Sequence, residues 1–191
     1  GCDQCTQDCP WGAIQMVARD DDRPTLVALV DPALCVSCGI CAGSCAPMGV
    51  GPPRRTGRDQ LAHARSTLVD AVRAAPSDQR GVAICCGQGP ATARQELAAA
   101  GALLHEVPCV VMLHSSVIEV LIRQGAMGVM IAGCPPRDCV GREGPKWLEQ
   151  RVYHEREAEL QARVDRGRVR IGTTAIAGDR EGLAAFIAFH R

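Results

Sequence analysis

Cysteine is the side chain here with chemistry to offer, and its spacing points to metal clusters. Seven of the twelve cysteines fall within the first 45 residues, as Cys2-x2-Cys5-x3-Cys9-Pro10 and Cys35-x2-Cys38-x2-Cys41-x3-Cys45. Closely spaced thiolates on one loop, followed by a further cysteine after three intervening residues, are the pattern that wraps a cubane iron–sulfur cluster. The expected chemistry is single-electron transfer. The first run is the same pattern without its leading cysteine, which would fall just before Gly1, so the chain reads as a fragment cut through a motif. Zinc ribbons and disulfides are the competing uses of such cysteines. A zinc ribbon pairs two C-x2-C units across a longer insert and needs no third cysteine three residues on. Disulfide frameworks belong to secreted chains, and nothing here reads as a signal peptide. No C-x-x-C-H occurs, which excludes covalent haem.

The stretch Cys9-Pro10-Trp11-Gly12-Ala13-Ile14 and the approach Val30-Asp31-Pro32-Ala33-Leu34-Cys35 resemble the two halves of a bacterial-type ferredoxin with two [4Fe-4S] clusters. In such ferredoxins the fourth cysteine of each run ligates the other cluster. The resemblance implies one complete site from Cys9, Cys35, Cys38 and Cys41. It implies a second from Cys2, Cys5 and Cys45, whose last ligand lies upstream of Gly1. Gly39 lets the backbone bend tightly around a cluster. Pro10 matches the usual Cys-Pro ending, whereas Cys45 is followed by Ala46 before Pro47. Two short strands, Gln15–Ala18 and Thr25–Val30, are expected around the polar turn Asp20-Asp21-Asp22-Arg23-Pro24.

Further elements must position these thiols and the five that remain. A chain of 191 residues, 47% apolar with only two Phe, two Trp and one Tyr, can bury one medium core beside a small cluster-held domain. Lys plus Arg and Asp plus Glu number 21 each, so no basic field recommends nucleic acid. No apolar run approaches the roughly 20 residues of a membrane span. Abundant cysteine without a secretory signal suits the reducing cytoplasm, or the cytoplasmic face of a membrane complex. The expected division is a ferredoxin-like α+β domain over 1–50, a linker and helix over 51–76, and an α/β domain over 77–191. Gly51-Pro52-Pro53-Arg54-Arg55-Thr56-Gly57 reads as the linker, and Asp59–Ala75 as a helix that Pro76 ends.

Beyond Gly81, strands are expected at Val82–Ile84, Leu103–Val107, Gly128–Ala132 and Val169–Ile171. Helices are expected at Ala91–Ala100, Ser116–Gln124, Lys146–Val164 and Gly182–His190. Short apolar strands alternating with helices predict α/β: a small open parallel sheet with flanking helices. Cys85 and Cys86 close the first of these strands, Cys109 follows the second across Pro108, and Cys134 follows the third, with Cys139 beyond it. Ligands of open α/β sheets bind at the carboxyl ends of the strands, so these thiols could meet in a further metal site. A buried structural cysteine is the bland alternative for any one of them.

Residues 81–153 resemble the delta-subunit family of methyl-viologen-reducing hydrogenase. The matching residues are Cys85-Cys86, Val107-Pro108-Cys109, Ile122-x2-Gly125-Ala126-x-Gly128-Val129 and Gly133-Cys134-x4-Cys139, then Gly144 and Arg151-Val152. The resemblance implies a [2Fe-2S] cluster held by Cys86, Cys109, Cys134 and Cys139, with Cys85 as substitute. Gly89 stands where the family carries a further cysteine, and Val140-Gly141 where it often has His-Tyr. The resemblance implies a relay of single electrons between subunits or fused domains of a redox complex, whether flavin, hydrogenase, heterodisulfide-reductase-like or quinone-modifying. Such a module is the electron-transfer component of an oxidoreductase, with no substrate site of its own.

Two other readings compete with the relay. Loss of the family cysteine at Gly89 could leave a docking module with a degenerate site. Gly87-Gln88-Gly89-Pro90-Ala91-Thr92 partly imitates a dinucleotide fingerprint, but Thr92 replaces its third glycine and Cys85-Cys86 would crowd the phosphate turn. Glycines there would instead let backbone amides approach cluster sulfurs. His63, His105, His114, His154 and His190 have no evident ligand partners. Arg151, Glu155, Arg156 and Glu159 fit a solvated helical face with i,i+4 pairing.

Overall fold

The computed structural model describes residues 2–21, 23–173 and 186. Two one-turn helices and a hairpin form the amino-terminal part. Helix α1 (Gln4–Gln7) carries Cys5 inward, and α2 (Ile40–Gly43) follows Gly39, whose φ of 80° turns the chain into the helix. Strands β1 (Ile14–Val17) and β2 (Val27–Val30) pair antiparallel, from Ile14 opposite Val30 to Val17 opposite Val27. Both expected strands are present, the first displaced by one residue and the second shortened to four residues. Arg19 and Arg23 both pair with Asp21, tightening the turn between them.

The segment from Gly51 to Gly57, expected as a linker, is packed in place. Gly51 lies against Ala42, and Gly57 is buried between Met48 and His114. Thr56 then caps α3 (Gly57–His63) in a reciprocal box with Asp59, satisfying two backbone donors that a helix start leaves free. A π turn over Ala64–Leu68 joins α3 to α4 (Val69–Ala74). Ser66 and Thr67 donate to the His63 carbonyl there, an alternative to regular helix bonding.

Four parallel strands follow: β3 (Gly81–Cys86), β4 (Leu103–Val107), β5 (Gly128–Gly133) and β6 (Val169–Thr173), in the spatial order β4-β3-β5-β6. The two inner strands are buried at every residue, which is why they read as continuous apolar runs. Helix α5 (Ala91–Ala99) covers one face, where Leu97 meets Ala83, Cys85, Met130 and Ala132. Helix α6 (Ser115–Arg123), α7 (Gly144–Tyr153) and the α3–α4 helix cover the other over Val82, Ile84, Cys86, Val129 and Ile131. The sheet is thus the expected open parallel α/β layer, with a small antiparallel hairpin before it. Chain order reverses between β3 and β5, and their carboxyl ends open a crevice at that switch point.

One expected helix is shorter than its pattern. Lys146–Val164 was to be continuous, but α7 ends at Tyr153, and Glu155 and Ala158 take φ of 55° and 62°. Tertiary contacts reverse the chain there. The Leu160 amide donates to the Arg151 carbonyl, Ala158 and Leu160 are buried, and Ser115 Oγ donates to the Ala158 carbonyl. Arg151 is correspondingly not on a solvated face: it is 1% exposed. The expected closing helix, Gly182–His190, lies outside the described residues except for Phe186, which packs beside Ala83 and Leu97. Among the described residues, no helix is long and apolar enough to cross a membrane.

Candidate metal centres

The amino-terminal thiols sort into two sets that do not follow the two sequence runs. A cavity of ≈190 Å³ is lined by Cys9 together with Cys35, Cys38 and Cys41. Another, of ≈380 Å³, is lined by Cys2, Cys5 and Cys45. Cys9 and Cys45 have therefore changed places relative to their runs. Helices α1 and α2 produce the exchange by packing together, since each carries thiols toward one cavity while its C-terminal flank leads to the other. The walls of the first site include Trp11, Ile14, Gly39 and Ile40.

At Cys5, Cys38 and Cys41 burial favours the protonated thiol. Burial raises the Cys5 pKa, with Cys45 and Cys2 adding to it. Burial likewise raises Cys38, and pushes Cys41 up to about 12, with Cys38, Cys5, Cys35 and Cys9 reinforcing the shift. Crowded, desolvated thiols of this kind ionise when bound to iron, whose charge offsets both causes. The donor set fits clusters on that ground.

A third cavity, of ≈420 Å³, opens at the carboxyl ends of the sheet and is lined by Cys86, Cys109, Cys134 and Cys139. Cys86 ends β3, Cys109 precedes the turn Val110–Met112 after β4, Cys134 follows β5, and Cys139 follows a short turn at Pro136–Asp138. Cys134 Sγ lies 3.6 Å from Cys86 Sγ. Bonding from the Cys109 thiol lowers Cys86 to about 5, helped by the backbone N–H groups of Gln88 and Val110. The Cys109 thiol also lowers Cys139, assisted by the Gly141 N–H. Cys109, whose single S–H lies between the Cys139 and Cys86 sulfurs, is pushed up, and burial raises Cys134 to about 12. The backbone N–H donors are fixed by the fold and remain available to thiolate sulfurs.

Cys85 stands apart. Adjacent residues on a strand point to opposite faces, and Cys85 is buried with Ala83, Leu97 and Met130 on the α5 side. Its pKa is raised to about 11 by burial, as for a packing thiol. Among the described residues, no three His, Cys, Asp or Glu side chains converge as they would on a single metal ion. Thiols set around cavity walls suit a polynuclear cluster, in which different iron atoms take different thiolates.

The family described as methyl-viologen-reducing hydrogenase, delta subunit, matches residues 82–189, more than half of the chain. The chain belongs to this delta-subunit family. A 4Fe-4S dicluster domain matches residues 1–49 ahead of it, so the delta-subunit region follows a [4Fe-4S] ferredoxin module. No curated protein matches the chain.

Against the delta-subunit pattern, Gly89 falls in the loop after β3, where its amide donates to the Cys86 carbonyl and its own carbonyl accepts from Arg94. Gly141, in the segment that differs from the family, has a function of its own. A Cβ there would lie 3.4 Å from Cys139 Sγ and 3.0 Å from Val111, so glycine lets the backbone close over the sulfur. Sequence reasoning missed Gly141 and the Val110 amide because a backbone donor leaves no trace in side-chain spacing.

It also missed a buried polar cluster between the delta-subunit sheet and the ferredoxin helices. Arg151 Nη1 donates to Ser44 Oγ at 3.2 Å and Nη2 to the Val111 carbonyl at 3.1 Å. Ser44 Oγ donates to Asp8 Oδ2 at 2.5 Å, and Asp8, 1% exposed, also pairs with Arg156. The Arg156 guanidinium lies 4.0 Å over the Trp147 ring. Burial lowers Arg151 to about 10, while Asp8 supports its charge, so it remains a cation at neutral pH.

Proposed function

We propose that the chain is a relay of single electrons within a redox complex of the hydrogenase or heterodisulfide-reductase-like kind. Cys9, Cys35, Cys38 and Cys41 hold one [4Fe-4S] cluster. Cys2, Cys5 and Cys45 supply three thiolates to a second, and Cys86, Cys109, Cys134 and Cys139 hold a [2Fe-2S] cluster. When bound, such clusters accept and release one electron at a time, with potentials set by ligation, hydrogen bonding and exposure. The protein's own part is to fix the thiolates, aim amides at them and exclude water. Gln88 and Val110 do this at Cys86, and Gly141 at Cys139. Flavin, quinone-modifying or thiol-reducing subunits are the classes of partner that exchange single electrons with such a module. Residues 1–50 and 77–191 act as the two redox domains, with 51–76 between them.

One observation carries the reading: the ferredoxin thiols and the sheet thiols are joined by direct packing. Gly39, next to Cys38, lies so close to Met112 that a Cβ there would come within 2.8 Å of Met112 Cβ. Met112 ends the turn that begins at Cys109. Electron transfer requires such a short, packed route; docking alone does not. EPR of the anaerobically reduced protein tests it. Two distinguishable reduced signals are expected, with the [2Fe-2S] signal lost in Cys134→Ser and the cubane signal lost in Cys9→Ser. A folded, colourless protein that still binds its redox partner would favour the docking module instead.

A further inference from the structure

The buried cluster around Arg151 touches the sequence neighbours of a proposed ligand at all three centres. Asp8 precedes Cys9, Ser44 precedes Cys45, and Val111 lies two residues beyond Cys109. Arg151 reaches the last two directly, and the first through Ser44 Oγ. The fit is close: a Cβ on Gly43 would stand 2.6 Å from Arg151 Nη2 and 3.1 Å from the Leu113 carbonyl oxygen, so the guanidinium packs directly against α2. Arg151 Nε is buried without a hydrogen-bond partner among the described residues. Leaving a donor unsatisfied is costly, and a neutral side chain of similar length would avoid that cost.

Charge offers a reason to keep an arginine there. One carboxylate, Asp8, faces two guanidiniums, Arg151 and Arg156, leaving a net positive charge between the centres. An iron–sulfur cluster with four thiolates is an anion, and becomes more negative when it gains an electron. A nearby buried cation therefore stabilises the reduced form more than the oxidised one, in a setting where water screens weakly.

We propose that Arg151 is a positioning residue of the relay: it locks the α2 ligand helix onto the Cys109 turn and, as a buried cation, raises the reduction potentials of the centres on either side. The inference rests on the cluster assignments above and adds to them a residue that binds no metal.

EPR-monitored redox titration of the anaerobically loaded chain tests it, with Arg151→Met, Arg151→Lys and Asp8→Asn. Arg151→Met is expected to shift the midpoints of both the cubane at Cys9, Cys35, Cys38 and Cys41 and the [2Fe-2S] centre to lower potential. Arg151→Lys keeps the charge and is expected to leave them close to the parent values. Asp8→Asn removes a negative charge and is expected to shift the cubane upward. Equal shifts in Arg151→Met and Arg151→Lys, or none in Arg151→Met, would overturn the proposal. If Arg151→Met fails to fold, the Asp8→Asn titration decides: an upward shift supports the charge network, and an unmoved or lowered midpoint overturns it. Protein that loads iron and sulfide but shows unmoved potentials defeats this inference alone, whereas protein that takes up neither defeats the cluster assignments as well.

Discussion

Gly39→Ala isolates the contact through which the ferredoxin thiols meet the sheet. Gly39 sits between Cys38 and Ile40 at φ 80°, a conformation that costs a residue with a Cβ about 1 kcal/mol. Its added methyl would stand 2.8 Å from Met112 Cβ and 3.2 Å from Met112 Cε. Met112 Cβ is fixed to the backbone after Cys109, so the clash moves chain rather than a side-chain tip, at an overpacking cost of about 1–3 kcal/mol. The total is about 2–4 kcal/mol, a large share of the stability of an ordinary domain. Gly12→Ala supplies the control. Gly12 has φ 61° with nothing within 4 Å of the added Cβ, so only the backbone cost of about 1 kcal/mol applies. Urea unfolding of both variants, anaerobically loaded, should give a clearly lower midpoint for Gly39→Ala, together with reduced iron content. Equal midpoints for the two variants would refute the claim that Gly39 is held against Met112.

Other expectations follow from the same geometry. Cys85→Ser should leave the [2Fe-2S] EPR signal intact but destabilise the protein by about 1–3 kcal/mol, because it buries a hydroxyl among Ala83, Leu97 and Met130; loss of the signal would place Cys85 at the centre after all. Thr56→Ala removes the helix cap and should cost about 1 kcal/mol in denaturant stability without altering iron content. Burial lowers the His105 and His114 pKa values below 6.5, with His63 also lowering His105, so unfolded imidazoles take up protons before folded ones as pH falls. The stability these residues contribute is complete above about pH 6.5 and lost below it. His114→Gln should therefore lose less stability between pH 7.5 and 5.5 than the parent, and an equal or larger loss would contradict that direction.

The sheet was legible because its inner strands, buried on both faces, cannot hide their composition: Gly81–Cys86 and Gly128–Gly133 are apolar throughout, and each leads to a thiol at the open end. The opposite orientation of Cys85 and Cys86 follows from strand period alone. The exchange of Cys9 and Cys45 between sites was reached through resemblance, since spacing within a run says nothing of which cavity its last thiol faces. Arg151 could not be read in the same way. Its helix shows charged residues at helical spacing, and the features that bury it lie at Gly43, Ser44 and Val111, far along the chain. The end of α7 was hidden for a similar reason, because the residues that would extend it are good helix formers and turn away only when Ala158 and Leu160 find the core.

The most direct test of the relay is iron, sulfide and zinc analysis of the anaerobically purified chain, set beside the Cys109→Ser variant. Iron and acid-labile sulfide in near-equal amounts, with the [2Fe-2S] share lost in Cys109→Ser and the [4Fe-4S] share kept, is the predicted result. Stoichiometric zinc bound to the thiols, with no sulfide, would contradict it.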